Sequence, residues 1–313
     1  MIYLSFSMCA LLAISHARRT CLADEHGCER LSLPRLCYVD RQALPNFEIG
    51  GQPARIHTQG LFITDRYFYV TGRLQRSPKR ALLIRFDRLN PSLVEHVDLL
   101  IASGNLAESE ATFDHPGGFD YDGESFWIPV AVSRPMSKSL VVKVRPEPGA
   151  SLGSAKVKTA FRLNEHIGAI AFDTATRRLF GANWDARSIY VWKQDGTFIE
   201  KFSQTDFSPK TAGRAFAIQD WKGLGKQWLL VGALDKSAHR RPEESIAVLQ
   251  LIDMRNKCEA AVIRLASPPD REIPLSKEGM AVFNDQVFFL PADLGSNAAV
   301  FRYRWSKPLN LGR

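Results

Sequence analysis

The chain has 313 residues and a formal net charge of +8 at pH 7, with 45% hydrophobic and 24% charged residues. This composition is typical of a packed globular protein and argues against a disordered chain or a membrane bundle. No apolar run reaches the roughly 18 to 20 residues that a membrane-spanning helix needs. The basic residues lie in scattered short pairs and form no single stripe, so we expect neither a membrane span nor nucleic acid as a partner.

The chain begins with the pattern of an export signal. Residues 1–17 contain no Lys, Arg, Asp or Glu, and the apolar run from Ile2 to Ile14 has the length of a signal hydrophobic region. Ser15 and Ala17 supply the small residues at the −3 and −1 positions of a cleavage site. A positively charged start is missing, so a first strand or a misassigned start is the alternative. We expect a signal peptide at 1–17, an extension at 18–40 and a periplasmic or secreted protein.

Cysteine usage bears on the same question. One of the five cysteines lies inside the signal region, and four would remain after cleavage: Cys21, Cys28, Cys37 and Cys258. In an exported chain an even number permits two disulfides, with three connectivities allowed. Unpaired or partly buried thiols are the alternative.

An eight-residue pattern recurs along the chain and sets the expected architecture. Three copies, at 57–64, 115–122 and 166–173, read H-x-x-[GA]-h-x-h-[TD], where h is an apolar residue. Each copy is followed by an aromatic-rich strand pattern and then by two further strand patterns. Weaker copies follow at 214–219 and 278–283. Five units at spacings of about 46 to 64 residues indicate four-stranded repeats.

These units predict an all-β protein, a single β-propeller over residues 41–313. The last unit lacks a fourth strand, which residues 41–49 can supply by pairing with the C-terminal strands and so closing the ring. Five blades are expected, and six if residues 24–49 contribute more than one strand. A β-sandwich is the structural alternative, but it does not account for the five-fold repetition.

The repeat predicts a ring of chemistry at one mouth of the propeller. The inner strand opens with His57, His115 and His166 in three units, and Glu278 lies two residues after the fifth equivalent, Ser276. Three imidazoles can bind zinc or a similar divalent ion and leave a position for an activated water. We predict all three histidines as catalytic residues, one of them as general base, with His115 and His166 also as ligands. Alternatively, each imidazole hydrogen-bonds to the neighbouring blade.

A second ring is expected where the second strands return to the same mouth. Its members are Arg73, Ala131, Asn183, Leu234 and Asp293. Asn183 and Asp293 offer oxygen ligands suited to Ca²⁺, Mg²⁺ or Mn²⁺, and Glu278 can complete that site. Both are also ordinary turn residues. The predicted ligand is a small molecule in the central funnel of a monomer.

The openings of the inner strands, such as Glu278-Gly279 and His115-Pro-Gly-Gly118, resemble the gluconolactonase, regucalcin and strictosidine-synthase-like propellers. The pattern covers about residues 57–304. In gluconolactonase-like members a Glu, an Asn and an Asp hold a catalytic divalent metal on the axis, and the resemblance implies Glu278, Asn183 and Asp293 here. Those members are six-bladed, place their Glu-Gly motif in an early blade and lack three ring histidines.

Two functions follow as hypotheses. The first is a metal-dependent hydrolase acting on a lactone or an ester, with the metal being Ca²⁺, Mg²⁺, Mn²⁺ or Zn²⁺. The second is a non-catalytic propeller that binds a ligand or a protein, because the sequence has no nucleophile motif such as G-x-S-x-G.

Overall fold

The computed structural model of the protein describes residues 31–104, 113–184, 187–203, 206, 216–236, 245–268, 270–295, 297–309 and 311. The expected signal peptide, Cys21 and Cys28 lie outside this part of the chain. Within it, no helix is long and apolar enough to cross a membrane. The single α-helix that it contains, α1, spans only Leu99–Ala102.

The described residues form short antiparallel strands throughout. In chain order they are β1 (Leu36–Ala43), β2 (Glu48–Ile49), β3 (Gln52–Pro53), β4 (Ile56–Ile63), β5 (Tyr67–Leu74), β6 (Arg80–Asp87), β7 (Val94–Asp98), β8 (Phe113–Pro116), β9 (Asp120–Tyr121), β10 (Phe126–Val132), β11 (Ser139–Arg145), β12 (Lys156–Leu163), β13 (Ile167–Asp173), β14 (Arg178–Asn183), β15 (Ser188–Lys193), β16 (Phe198–Ser203), β17 (Ala217–Gly225), β18 (Trp228–Asp235), β19 (Ile246–Asp253), β20 (Cys258–Arg264), β21 (Gly279–Phe283), β22 (Gln286–Leu290) and β23 (Ala299–Trp305).

These strands build a β-propeller of five blades, which confirms the predicted fold. Blade 1 is β4 to β7, blade 2 is β8 to β12, blade 3 is β13 to β16, blade 4 is β17 to β20, and blade 5 is β21 to β23 together with β1. In blades 1, 3 and 4 the four strands follow one another in sequence order from the inner strand outwards, whereas the outermost strand of blade 5 is the N-terminal β1. The two-residue strands β2 and β3 form a separate hairpin before blade 1.

The ring is closed by the N-terminal strand, as expected, but with different bounds. Strand β1 pairs antiparallel with β23, from Leu36 opposite Trp305 to Ala43 opposite Ala299. The closing strand therefore begins at Leu36 and not at Arg41. Strand β1 ends at Ala43, because Leu44 packs into the core between blades 1 and 5. Ile49 packs into the same core, so these residues do not continue the strand.

The core consists of five apolar clusters, one between each pair of neighbouring blades. Strand β6 shows how they arise from side-chain alternation. Its Leu82 and Ile84 face blade 5, whereas Ala81 and Leu83 face blade 2. Because both faces of a blade are covered, the strands are apolar at nearly every position, and the side-chain alternation that would mark one buried face is lost.

Two buried aspartates tie the inner strands together at the axis, below the histidine positions. Asp220 of β17 is fully buried, and its carboxylate accepts hydrogen bonds from the backbone N–H groups of Leu61 (3.1 Å) and Met280 (3.0 Å). These donors belong to blades 1 and 5. The ammonium group of Lys222 donates to the same carboxylate at 2.6 Å and to the carbonyl of Phe119 in blade 2, also at 2.6 Å.

Asp120 performs the equivalent task for the remaining strands. Its Oδ2 accepts from the N–H groups of Phe172 in blade 3 (3.0 Å) and Gly223 in blade 4 (2.9 Å). With Asp220, it connects all five inner strands through charge-assisted hydrogen bonds. Hydrogen-bonded groups from all five blades thus meet at this depth of the axis.

The glycine pair of blade 2 lets its backbone lie against blade 3. Gly118 N–H donates to Gly168 O at 2.9 Å, and a Cβ at Gly117 would come within 2.1 Å of that same oxygen. We expect Gly117→Ala to lower the free energy of unfolding by about 2 kcal/mol or more, because backbone has to move. Denaturant titration checks this. Gly153→Ala, where the nearest atom is 3.6 Å away, is the control and should change it by about 0.5 kcal/mol at most.

Candidate functional site

The inner strands bring three imidazoles into a row at the funnel mouth. The ring centroids of His57 and His115 are 5.9 Å apart, and those of His115 and His166 are 5.7 Å apart. The row arises from strand register, because His57 and His115 lie on β4 and β8, and His166 directly precedes β13. The structure therefore places these three predicted site residues side by side, on blades 1, 2 and 3.

The row does not continue into the other two blades. In blade 4 the equivalent position is Ala217, which pairs with Leu234; the spacing of the repeats predicts that this unit opens earlier, at Ala212. Ala212 itself lies outside the described residues. In blade 5, Ser276 is fully buried and donates to the carbonyl of Ala233 at 2.5 Å, which makes it a structural link between blades 4 and 5.

Blade 5 instead contributes two carboxylates next to His57. His57 Nδ1 lies 3.0 Å from Asp293 Oδ1, which also accepts from the N–H of Thr58 at 3.2 Å. One ligand atom from each of His57, Glu278 and Asp293 can be chosen such that all three lie within 4.8 Å of one another. Among the described residues this is the one group of three such side chains with the spacing of a metal site.

Gln59 completes this cluster and was missed by the sequence analysis. Its side-chain nitrogen lies 2.9 Å from His57 Nε2 and 3.3 Å from Glu278 Oε2. Gln59 is the extra residue of a β-bulge between Thr58 and Gly60. The same shift occurs at the equivalent position of β13 and β17. In the repeat pattern this position is variable, and nothing there marks it as facing the funnel.

Burial separates the protonation behaviour of the two carboxyl groups. Glu278 is only 4% exposed, and this desolvation raises its pKa to about 8, although His57 and Lys277 act in the opposite direction. Burial also disfavours the charged form of Asp293, but the hydrogen bonds from His57 and Thr58 outweigh it and lower the pKa of that group. The hydrogen bond to Asp293 in turn raises the pKa of His57.

His115, the middle imidazole, stays neutral and unbonded. It is 7% exposed, and burial, together with the nearby His166, His57 and Arg73, lowers its pKa to about 3. Its Nδ1 is buried without a hydrogen-bond partner in the described structure. No described residue bonds its Nε2 either. A neutral imidazole with free nitrogens can accept or donate a hydrogen bond to a bound molecule.

His166 is anchored by the loop that follows β10. Its Nδ1 lies 3.0 Å from the carbonyls of Val132 and Arg134 and 3.1 Å from Ser137 Oγ, while burial lowers its pKa. Trp184 packs against it edge to face, with ring centroids 4.5 Å apart, and remains 39% exposed. His166 thus fixes the rim, and Trp184 supplies an aromatic wall. Trp127, by contrast, is buried in the core.

Asn183 and two of the three histidines lie outside the cluster of possible metal ligands. Asn183 pairs with Ile167, and it is the N–H of Trp184 that bonds to the carbonyl of His166 at 3.0 Å, so Asn183 lies one residue away from the position opposite His166. Its side-chain oxygen accepts from Ser188 N–H at 3.0 Å across the β14–β15 turn. His115 and His166 likewise lie outside the three-residue cluster, whereas Asp293, Glu278 and His57 form it. Asp185, a weaker candidate next to Asn183, lies outside the described residues.

The family match spans the whole ring. Residues 44–303, which run from the end of β1 into β23, match the family described as a family of unknown function, DUF6454. The chain belongs to the DUF6454 family. All residues of the mouth described above therefore lie inside the DUF6454 range. No curated protein matches the sequence.

Solved structures resemble this DUF6454 protein in fold. One of them comes from the GH130 family of mannoside phosphorylases, whose description says that the family contains glycoside hydrolases that target β-1,2 mannosidic linkages in Candida mannan. It is 8% identical, with a TM-score of 0.54, and the match covers 89% of this chain and 96% of that structure's chain. A glycosyl hydrolase from Bacteroides ovatus is 10% identical, with a TM-score of 0.49 and the same coverage. A luciferin-regenerating enzyme is 13% identical, with a TM-score of 0.44, over 86% and 80%. At such identities the first likeness shows a shared fold.

Proposed function

We propose that the protein is a hydrolase that cleaves a lactone or an ester at a divalent cation held by His57, Glu278 and Asp293. The observation that carries this proposal is the convergence of their ligand atoms within 4.8 Å at the end of the funnel. One imidazole nitrogen and two carboxylates suit Ca²⁺, Mg²⁺, Mn²⁺ or Zn²⁺.

The hydrogen bonds around Gln59 support the fit of a cation. The acceptor atoms His57 Nε2 and Glu278 Oε2 both point at the Gln59 amide nitrogen. Lone pairs that converge on one donor can converge on a cation when that donor turns away. Asp293 lies 3.0 Å from the other nitrogen of His57, and as a ligand it would exchange this hydrogen bond for the cation.

The chain's own residues have separable tasks in this proposal. A bound divalent cation supplies Lewis-acid polarisation of the carbonyl and a water of lowered pKa. His115, whose nitrogens are free, is placed to accept a hydrogen bond from the attacking water and to orient it. Its low basicity suits this role better than that of a proton acceptor. His166 holds the rim of the mouth.

The resemblance to gluconolactonase-like propellers supports the same reaction class with one difference. Glu278 and Asp293 occupy the cluster as that resemblance implies. His57, and not Asn183, supplies the third ligand, because the Asn183 side-chain oxygen is bonded to Ser188.

We also propose that the protein is exported, periplasmic or secreted, and acts as a monomer on a small molecule. Cys258 is disulfide-bonded to a cysteine outside the described residues, and disulfides persist in oxidising compartments. Cys37 is a free thiol.

A panel of esters and lactones, assayed with each of the four cations, tests the proposed reaction. We expect turnover that chelator abolishes, and we expect His57→Ala to lower kcat/KM by about 100-fold or more. His115→Ala should lower kcat by about tenfold or more while the protein still binds its cation. The matched control is His96→Ala, an exposed histidine on the outer strand of blade 1. No turnover of any member with any cation would reject hydrolysis and leave the ligand-binding propeller.

A further inference from the structure

We infer that the ligand carries an anionic group, a carboxylate, held by Arg73 beside His115, with the flat part of the molecule against Trp184. This inference rests on the proposed function only in taking the mouth as the ligand site. It adds the charge and shape of the molecule, which the lactone and ester reaction class leaves open.

The first support is the position of Arg73. It lies on β5 directly opposite His57, so the two side chains stand on the same face of blade 1. Its Nη1 donates to Ser133 Oγ at 2.6 Å, on the loop that follows β10 of blade 2. The guanidinium therefore spans the mouth from blade 1 to blade 2, and its charge acts against protonation of both His57 and His115.

The second support is that the Arg73 charge lacks a partner in the described structure. Its Nε is buried without an acceptor, and no described carboxylate lies within 4.0 Å of its guanidinium. Within the described part of the chain, eight other arginines are paired with acidic side chains, namely Arg41, Arg66, Arg80, Arg85, Arg145, Arg264, Arg271 and Arg302. Arg76 and Arg88 have no ion pair among the described residues either, but they donate to backbone carbonyls. A half-buried guanidinium with unused donors is a favourable site for the planar, bidentate carboxylate.

The third support is the neighbour of this cation. His115 is more than nine-tenths buried, and neither of its nitrogens has a hydrogen-bond partner in the described residues. Trp184 faces His115 with ring centroids 5.7 Å apart and is exposed on its other side. Arg73, His115 and Trp184 thus offer a charge, a hydrogen-bonding imidazole and an aromatic surface to one molecule. The net charge of +8 also favours approach of an anion.

Binding of benzoate and its neutral isostere benzamide to chelator-treated protein tests the inference without any need for turnover. Calorimetry should give a benzoate Kd at least about tenfold tighter than that of benzamide. Arg73→Gln should bring the two Kd values together, and Arg73→Lys should restore part of the preference, because it keeps the charge but not the fork. Arg145→Gln, an exposed arginine paired with Glu124, should preserve it.

The outcomes separate this inference from the reaction. Equal Kd values for the two probes in the unaltered protein, binding of neither, or a preference that survives in Arg73→Gln would each overturn it. If the protein bound no cation and turned over no substrate but still preferred benzoate, the hydrolase would be rejected and the anion site would stand. If Arg73→Gln fails to fold, Arg73→Lys decides the matter through the size of its preference.

Discussion

Asp220→Asn is expected to lower the free energy of unfolding by about 3 to 5 kcal/mol, because it leaves the buried ammonium of Lys222 without its counter-charge. The carboxylate accepts from Leu61, Met280 and Trp221 N–H groups besides Lys222, and none of these bonds is open to water. An amide offers a single acceptor oxygen, so part of this set is left unmade. Denaturant titration monitored by circular dichroism measures the loss.

Two further variants isolate the cause. The double variant Asp220→Asn with Lys222→Met should recover part of the lost stability, because no buried charge remains uncompensated. Asp285→Asn, in the exposed turn between β21 and β22, is the matched control and should change stability by about 0.5 kcal/mol at most. If Asp220→Asn cost no more than this control, the two aspartates would not be what holds the inner strands together.

Glu278→Gln is expected to stabilise the cation-free protein at neutral and alkaline pH. Folding raises the pKa of Glu278 from 4.5 to about 8. Burial of the protonated Glu278 side chain therefore costs no ionisation free energy below about pH 4.5. As the pH rises from 4.5 towards 8, the unfolded chain loses this proton before the folded one does, and the free energy of unfolding falls. At pH 7 the cost is on the order of 3 kcal/mol. Glutamine has the same shape without the charge, so the variant should avoid most of this cost.

Unfolding at pH 5 and pH 8, both with chelator, measures the effect. The difference in stability between Glu278→Gln and the unaltered protein should grow by about 2 to 4 kcal/mol between the two pH values. Glu124→Gln, at a glutamate whose side chain is 66% exposed, should show little change. If the free energy of unfolding changed with pH in the same way in the unaltered protein, Glu278→Gln and Glu124→Gln, burial would not hold Glu278 in its protonated form.

The fold and the site residues that recur in the repeat could be predicted from the sequence. His57, His115 and His166 recur at one place in the pattern, and circular closure puts equal places side by side. Asp293 was also found, since the second strand of a blade returns to the mouth. The closing strand was predicted as well, although Leu44 ends it earlier than expected.

The residues that the sequence did not reveal are those set by irregular backbone or by single copies. Trp184, and not Asn183, lies opposite His166, and a bulge in β4 brings Gln59 next to His57. Asp120 and Asp220 each occur in one blade only: the other blades have glycine or alanine at the position of Asp220, and Phe62, Ala171, Lys222 or Ala281 at the position of Asp120. Periodicity assumes regular alternation and recurring roles, and neither holds at these places.

Elemental analysis of the protein, purified without added metal and then dialysed against each of the four cations, is the most direct test of the cluster at the mouth. We predict about one divalent ion per chain in the unaltered protein and in His96→Ala, and a substoichiometric amount in Glu278→Gln. A protein that takes up none of the four ions, or a Glu278→Gln variant that retains a full equivalent, would contradict the assignment of His57, Glu278 and Asp293 as the ligands.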